Sequence, residues 1–220
     1  MKKIIFYSMP GHGHVHPTVN VARELAKRGY KVIYYGTDEF KSYIEHAGLI
    51  YRRYADDPDF DGSVIKDLGK LLKLISGIAI RQVPYLIEEA RKENPDIIVH
   101  DSLAIGGKIV AHVLKKSGVS LSTTLAYSRK AFFLYPSFTK QVIASMVSSS
   151  ANIFQAWKNY VFLGEQYGLR IKGLGDMLMH KEKVNIVFLT KYFQPFSNSF
   201  DKSFYFVGPS IYPRLDQSNF

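Results

Sequence analysis

The sequence predicts an α/β protein with a Rossmann-like, doubly wound parallel sheet. Three observations predict it. Short apolar runs with no alternating polar face recur along the chain, as strands covered on both sides require. Stretches with apolar residues at helical spacing separate them, so that strand and helix alternate. Glycines and prolines punctuate the joints between the two kinds of segment. Parallel strands joined by right-handed crossovers follow from that alternation.

The elements can be taken in order. Residues 3–7 form the first buried strand, and Pro17 is suited to the first turn of the helix that follows. Val19, Val21, Ala22, Leu25 and Ala26 recur at helical spacing until Gly29 stops the helix. Residues 31–35 are a second strand, 39–47 a short helix ended by Gly48, and 49–54 a third strand. An acidic, turn-rich loop at 56–62 leads into a long helix over about 64–92, bent near Pro84. Residues 97–100 read as a fourth strand, 103–116 as a helix ended by Gly118, and 119–123 as a fifth strand. The aromatic stretch 127–168 reads as mostly helical, with late strands at 184–190 and 205–207.

Composition narrows the function. The chain has 220 residues, 46% hydrophobic and 22% charged, which suits a folded protein and not a disordered one. With no cysteine there is no disulfide, no thiolate nucleophile and no Cys-ligated metal. The first residues lack the apolar core and cleavage site of a signal peptide, and no segment has the roughly 18 apolar residues of a membrane span. A cytoplasmic protein is the expectation. The net charge of +10 comes from scattered pairs such as Lys27-Arg28 and Lys115-Lys116, without a nucleic-acid-binding signature. A solvated basic surface is therefore expected, and no nucleic-acid partner.

In doubly wound sheets, ligands sit beyond the carboxyl ends of the strands, where the strand order reverses. Two loops qualify: 9–17 after the first strand, and His100-Asp101-Ser102 after the fourth. The first holds His12, His14 and His16 at alternate positions. Gly11 and Gly13 open backbone angles closed to other residues, and a helix N-terminus behind them favours an anion.

The residues alone allow three chemistries. A dinucleotide site would use Gly11 and Gly13 as the first two glycines of G-x-G-x-x-G, but His16 stands in the third place. A metal site would use alternate histidines pointing one way from extended backbone, with His100 and Asp101 as further ligands. Against it, no His or carboxylate cluster follows a later strand. General base catalysis would use one imidazole oriented by a carboxylate, for which Asp101 is the natural partner. Asp101 is equally well placed to cap the following helix. His100 and His112 read as packing or surface residues.

The run from Met9 to Thr18, the Glu24-Leu25-x-x-Arg28-Gly29-Tyr30 segment, Ile97-Ile98-Val99-His100-Asp101, Gln194-Pro195 and Phe206-Val207-Gly208-Pro209 together resemble another group of proteins. They resemble the N-terminal half of nucleotide-sugar glycosyltransferases of the bacterial macrolide type. The resemblance implies the GT-B fold, in which two Rossmann-like domains face each other and bind acceptor and UDP-sugar respectively. It implies an acceptor domain over 1–212, the start of a linker at 213–220, and a donor domain not in this chain. By the same resemblance His14 is the base and Asp101 orients it, with Gly11, Gly13 and Pro17 supporting the loop. The family has Asn where this chain has His16.

The implied reaction is inverting transfer from UDP-glucose to a hydroxyl of a small hydrophobic natural product, without a metal. The UDP-sugar is a co-substrate held by the other domain, and this chain binds no cofactor. Leu103, Thr124, Phe132 and Phe133 are the candidate acceptor contacts. Expected partners are the acceptor, a donor domain supplied in trans, and a second copy associating through the uncovered cleft face. Alternatively the chain is a non-catalytic small-molecule-binding module, or a His-cluster metal hydrolase.

Overall fold

The computed structural model describes residues 1–56, 67–127, 140, 143–144, 147–171, 173 and 175–211. Seven parallel strands, β1 (Lys3–Tyr7), β2 (Lys31–Gly36), β3 (Ile50–Arg53), β4 (Ile97–Asp101), β5 (Ser117–Ser122), β6 (Val184–Val187) and β7 (Phe204–Phe206), lie in the order β3-β2-β1-β4-β5-β6-β7. Six α-helices are described: α1 (His12–Lys27), α2 (Lys41–His46), α3 (Leu68–Glu93), α4 (Ile105–Val113), α5 (Ser150–Tyr167) and the short α6 (Gly175–Leu178). The doubly wound fold is as the sequence predicts. Strand order reverses between β1 and β4, so the loops after these two strands flank one crevice.

Each central strand is apolar on both sides because both sides are covered. Ile5 and Tyr7 face one core with Leu72, Val83 and Leu86 of α3, Ile105 and Ile109 of α4, and Tyr160 of α5. Ile4 and Phe6 face the other with Val15, Val19 and Ala22 of α1 and Ile44 of α2. The α1 residues that are buried, Val15, Thr18, Val19, Ala22 and Arg23, recur at the spacing of one helical face.

Several boundaries differ from the sequence reading. The first helix begins at His12 behind an extended Gly11, so Pro17 lies more than a turn inside it. Helix α3 begins at Leu68, because Asp67 is extended and its side chain accepts the Lys70 N–H at 3.0 Å. It continues through Pro84 to Glu93. Helix α4 ends at Val113, and the left-handed residue that follows is Lys115 (φ 53°). Gly118 is no helix stop. It lies in β5, where an added Cβ would fall 2.6 Å from the Glu182 carboxyl carbon. The residue 39–47 segment is a 3₁₀ turn, Asp38–Phe40, followed by α2. The loop at 57–62, the start of the long helix at 64–66, and the aromatic stretch 128–139 lie outside the described residues. So does the domain boundary expected at 212.

Gly107 shows how tightly α4 seats on the sheet. A Cβ there would lie 2.5 Å from His100 Cβ and 3.1 Å from Tyr7 Cβ, both fixed atoms at the base of their side chains. Gly107→Ala is expected to destabilise the chain by about 1–3 kcal/mol through overpacking. Urea unfolding checks it; an unchanged midpoint contradicts this packing.

Candidate active site at the strand-order reversal

The site is built on the carboxyl ends of β1 and β4. Asp101 ends β4 and is 1% exposed. A buried carboxylate needs partners for both oxygens. Oδ1 accepts the backbone N–H of Leu103 at 2.8 Å, and Oδ2 lies 2.7 Å from Nδ1 of His14. Asp101 does not cap α4, whose N-cap is Ala104, without a side-chain cap. Its short turn onto Leu103 instead fixes the carboxylate for the imidazole.

His14 stands in the first turn of α1, where its side chain is 21% exposed. Burial alone would lower its pKa, but the Asp101 charge and hydrogen bond outweigh that and raise it above 6.5. Pairing with a carboxylate places the ring proton on Nδ1 and leaves Nε2 unprotonated in the neutral imidazole. Thr123 Oγ1, just beyond β5, also reaches Nδ1 at 3.0 Å. Thr123 is a site residue that the sequence reading does not single out. No local signal marks it, because only the sheet order brings the end of β5 beside β4.

The three histidines do not converge. Alternate residues point the same way on extended backbone, but residues 12–16 are helical, where i and i+4 share a face. His12 and His16 therefore pair, Nδ1 to Nε2 at 3.1 Å, with His12 Nε2 on Glu39 Oε1 at 3.0 Å. His16 packs edge-on against Tyr43. His14 points elsewhere, towards Asp101. His100 is on the opposite face of β4 from Asp101, buried against Glu182. Among the described residues no three His, Asp or Glu side chains gather as metal ligands. The loop glycines also act differently from expectation. Gly11 is extended and Gly13 has ordinary helical φ; the space where a Gly13 Cβ would stand is open to 4 Å.

Past the carboxyl ends of β1 and β4 a cleft, part of it open to solvent, runs between α3 and α4; neither His14 nor Asp101 is among its lining residues. Tyr7, Met9, Pro10, Ile75, Leu86 and Leu103 are among its mostly apolar lining. Leu103 thus lines the cleft. Thr124 is exposed, and its carbonyl accepts the Ser122 hydroxyl at 3.1 Å. Phe132 and Phe133 lie outside the described residues. Gln194 explains one of the sequence motifs. Buried, it accepts the Ala126 N–H at 2.9 Å and donates to the Ala126 carbonyl at 3.0 Å, fixing the segment that follows Thr123.

The pair has a measurable signature. Asp101→Asn is expected to lower the His14 pKa, since burial then acts with no carboxylate charge to oppose it, and NMR titration of the imidazole reads it directly. Stability follows with a defined sign. A folded value raised above 6.5 stabilises fully below 6.5, and the contribution is lost as pH rises through the folded value. Asp101→Asn should flatten this part of the stability–pH curve; an unaltered slope would show that the pair is not formed.

No family model matches the chain. It is 32% identical over 223 residues to the NDP-glycosyltransferase YjiC of Bacillus licheniformis, covering 98% of this chain and 53% of that protein. It is 26% identical to an uncharacterised UDP-glucosyltransferase, YojK, of Bacillus subtilis, covering 100% of this chain and 55% of that protein. The crystal structure of the kitacinnamycin glycotransferase shares the fold, with a TM-score of 0.81 at 21% identity over 100% of this chain and 54% of that one. The chain spans about half the length of the curated relatives it matches. Along nearly its whole length, and on a shared sheet, the chain is thus similar to about half of each of these glycosyltransferases.

Proposed function

We propose that this chain is the acceptor-binding half of an inverting nucleotide-sugar glycosyltransferase, with His14 as general base and Asp101 as the group that orients it. The observation that carries the reading is the 2.7 Å contact from His14 Nδ1 to a fully buried carboxylate at the strand-order reversal. A base needs a free nitrogen facing the cleft and a pKa near working pH. Nδ1 is committed to Asp101, which leaves Nε2 for the acceptor hydroxyl. Nε2 takes the hydroxyl proton as the oxygen bonds to the anomeric carbon. The bond from that carbon to the phosphate oxygen breaks, and the nucleoside diphosphate leaves with the electron pair. Attack opposite the leaving group inverts the configuration.

The acceptor proposed is a small hydrophobic molecule carrying a hydroxyl, in keeping with the apolar cleft between α3 and α4, which Met9, Pro10 and Leu103 help to line. The donor proposed is a UDP-hexose, UDP-glucose first, in keeping with the name of the YojK relative. It would be held by a second, donor-binding domain and not by this chain. An exposed apolar surface supports such a partner. Leu125 and Tyr127 after β5, Tyr192 and Phe193 after β6, and Val207 and Ile211 after β7 all stand at the carboxyl side of the sheet. Without that domain, the same surface would bring copies of the chain together. A cytoplasmic location belongs to this proposal; no described helix is long and apolar enough to cross a membrane.

The test joins the chain to the donor-binding half of a Bacillus relative and follows glucose transfer from UDP-glucose to a phenolic acceptor. Turnover that falls by about 10²-fold or more in His14→Ala is expected. Turnover equal in His14→Ala removes the base assignment. Acceptor binding by calorimetry, with no product from any assembled protein, would make the chain a binding module instead. A second measurement addresses the exposed surface. Light scattering of the chain alone should show association that Tyr192→Ser with Phe193→Ser reduces; a monomer at high concentration contradicts it.

A further inference from the structure

A chain of hydroxyl groups lies under the backbone of His14. Tyr34, on β2, places its hydroxyl 2.6 Å from Thr18 Oγ1. Thr18 Oγ1 in turn lies 2.7 Å from the His14 carbonyl oxygen and 3.1 Å from that of Val15. Tyr34 and Thr18 are 0% and 1% exposed, and water does not compete for these bonds. Proton counting fixes their direction. Carbonyl oxygens only accept, so the one Thr18 hydroxyl hydrogen points at them. The Tyr34 hydroxyl must then donate to Thr18. Ser8 Oγ, at 3.4 Å from Thr18 Oγ1, is a longer and weaker neighbour.

Pro17 makes this chain of bonds consequential. It has no N–H, so the Gly13 carbonyl loses its regular helical partner immediately before His14. The first turn of α1 is short of one backbone bond where the imidazole must be held to a carboxylate. The ring of Tyr34 is itself fixed, stacked on Phe6 of β1 at 5.8 Å between centroids. Tyr34 thereby ties the start of α1 to the centre of the sheet, on which Asp101 is also mounted.

We infer that Thr18 and Tyr34 are positioning residues for His14: they hold its backbone where Nδ1 meets Asp101 and Thr123. The inference rests on the proposed role of His14 as base for its functional meaning, but not for its physical content. Burial raises the Tyr34 pKa further above 10, so the phenol stays protonated and donating across the working range.

The experiment uses the 220-residue chain with labelled histidine and follows the His14 imidazole by NMR. Thr18→Val keeps the shape and removes the hydroxyl. It is expected to shift the His14 titration midpoint down, towards that of Asp101→Asn, and to raise the population of the Nε2-protonated tautomer. Tyr34→Phe should move both in the same direction by less, and Thr18→Ser should restore both. A merely structural loss would lower the unfolding midpoint without moving the titration of the folded protein. In the assembled enzyme Thr18→Val should lower kcat roughly tenfold with the donor KM unchanged, the cost of a misplaced reacting group. Titrations of Thr18→Val and Tyr34→Phe that superimpose on the parent overturn the inference. If His14→Ala keeps full turnover while these NMR shifts appear, the base assignment fails and the positioning stands.

Discussion

A carboxylate buried at the end of a central strand constrains everything around it. Asp101 is 1% exposed, and an ionised group in that position is tolerated only if hydrogen-bond donors reach both oxygens. One donor is supplied locally, by the turn that presents the Leu103 N–H. The other must come from a different element, and α1 supplies it through His14. The strand order makes this geometrically available. Because β1 and β4 are neighbours, the helix after β1 and the turn after β4 open on the same crevice.

The requirement extends outward in layers. His14 can meet Asp101 only if α1 starts early, at His12, and if its first turn is held despite the proline inside it. Thr18 and Tyr34 bond to the turn from below, and Tyr54 reaches the Ser8 carbonyl at 2.9 Å to fix the chain entering the loop. Thr123 reaches the same imidazole nitrogen from β5. The segment after Thr123 is clamped by Gln194 from beyond β6. Residues on or beyond five strands, β2 to β6, thus contribute to the orientation of one ring. His14, Asp101 and Thr123 are not among the described residues with left-handed backbone, which among non-glycines are Asn94, Lys115 and Phe196.

The fold was legible because its signals are local and repeated. Apolar runs such as Ile4-Ile5-Phe6-Tyr7 have no polar face, are too short for a helix and suit a strand covered on both sides. Helix ends marked by left-handed glycine, Gly29 and Gly48, were equally plain. Gly118 misled because two different constraints select glycine: a positive φ, and a neighbour too close for a Cβ. Sequence cannot separate them. The pairing of His14 with Asp101 was open to sequence through the strand-end rule and the family resemblance. The divergence of the histidines was not, since period-2 and period-3.6 geometry give opposite answers for positions 12, 14 and 16. Deciding between them required knowing that the helix begins before Pro17, against the usual preference of proline for a first turn.

That early start gives the two outer histidines a role different from that of the central one. In a helix, His12 and His16 fall on one face and His14 on another, so a substitution at 16 need not touch the base. The bonds agree: His16 meets His12 and packs on Tyr43, whereas the His14 ring meets Asp101 and Thr123. The backbone of α1 at that point is held from beneath by Thr18, buried on the core side. A helix fixed on its buried side can vary on its outer side. That separation lets this chain carry histidine at 16 with the geometry at Asp101 intact.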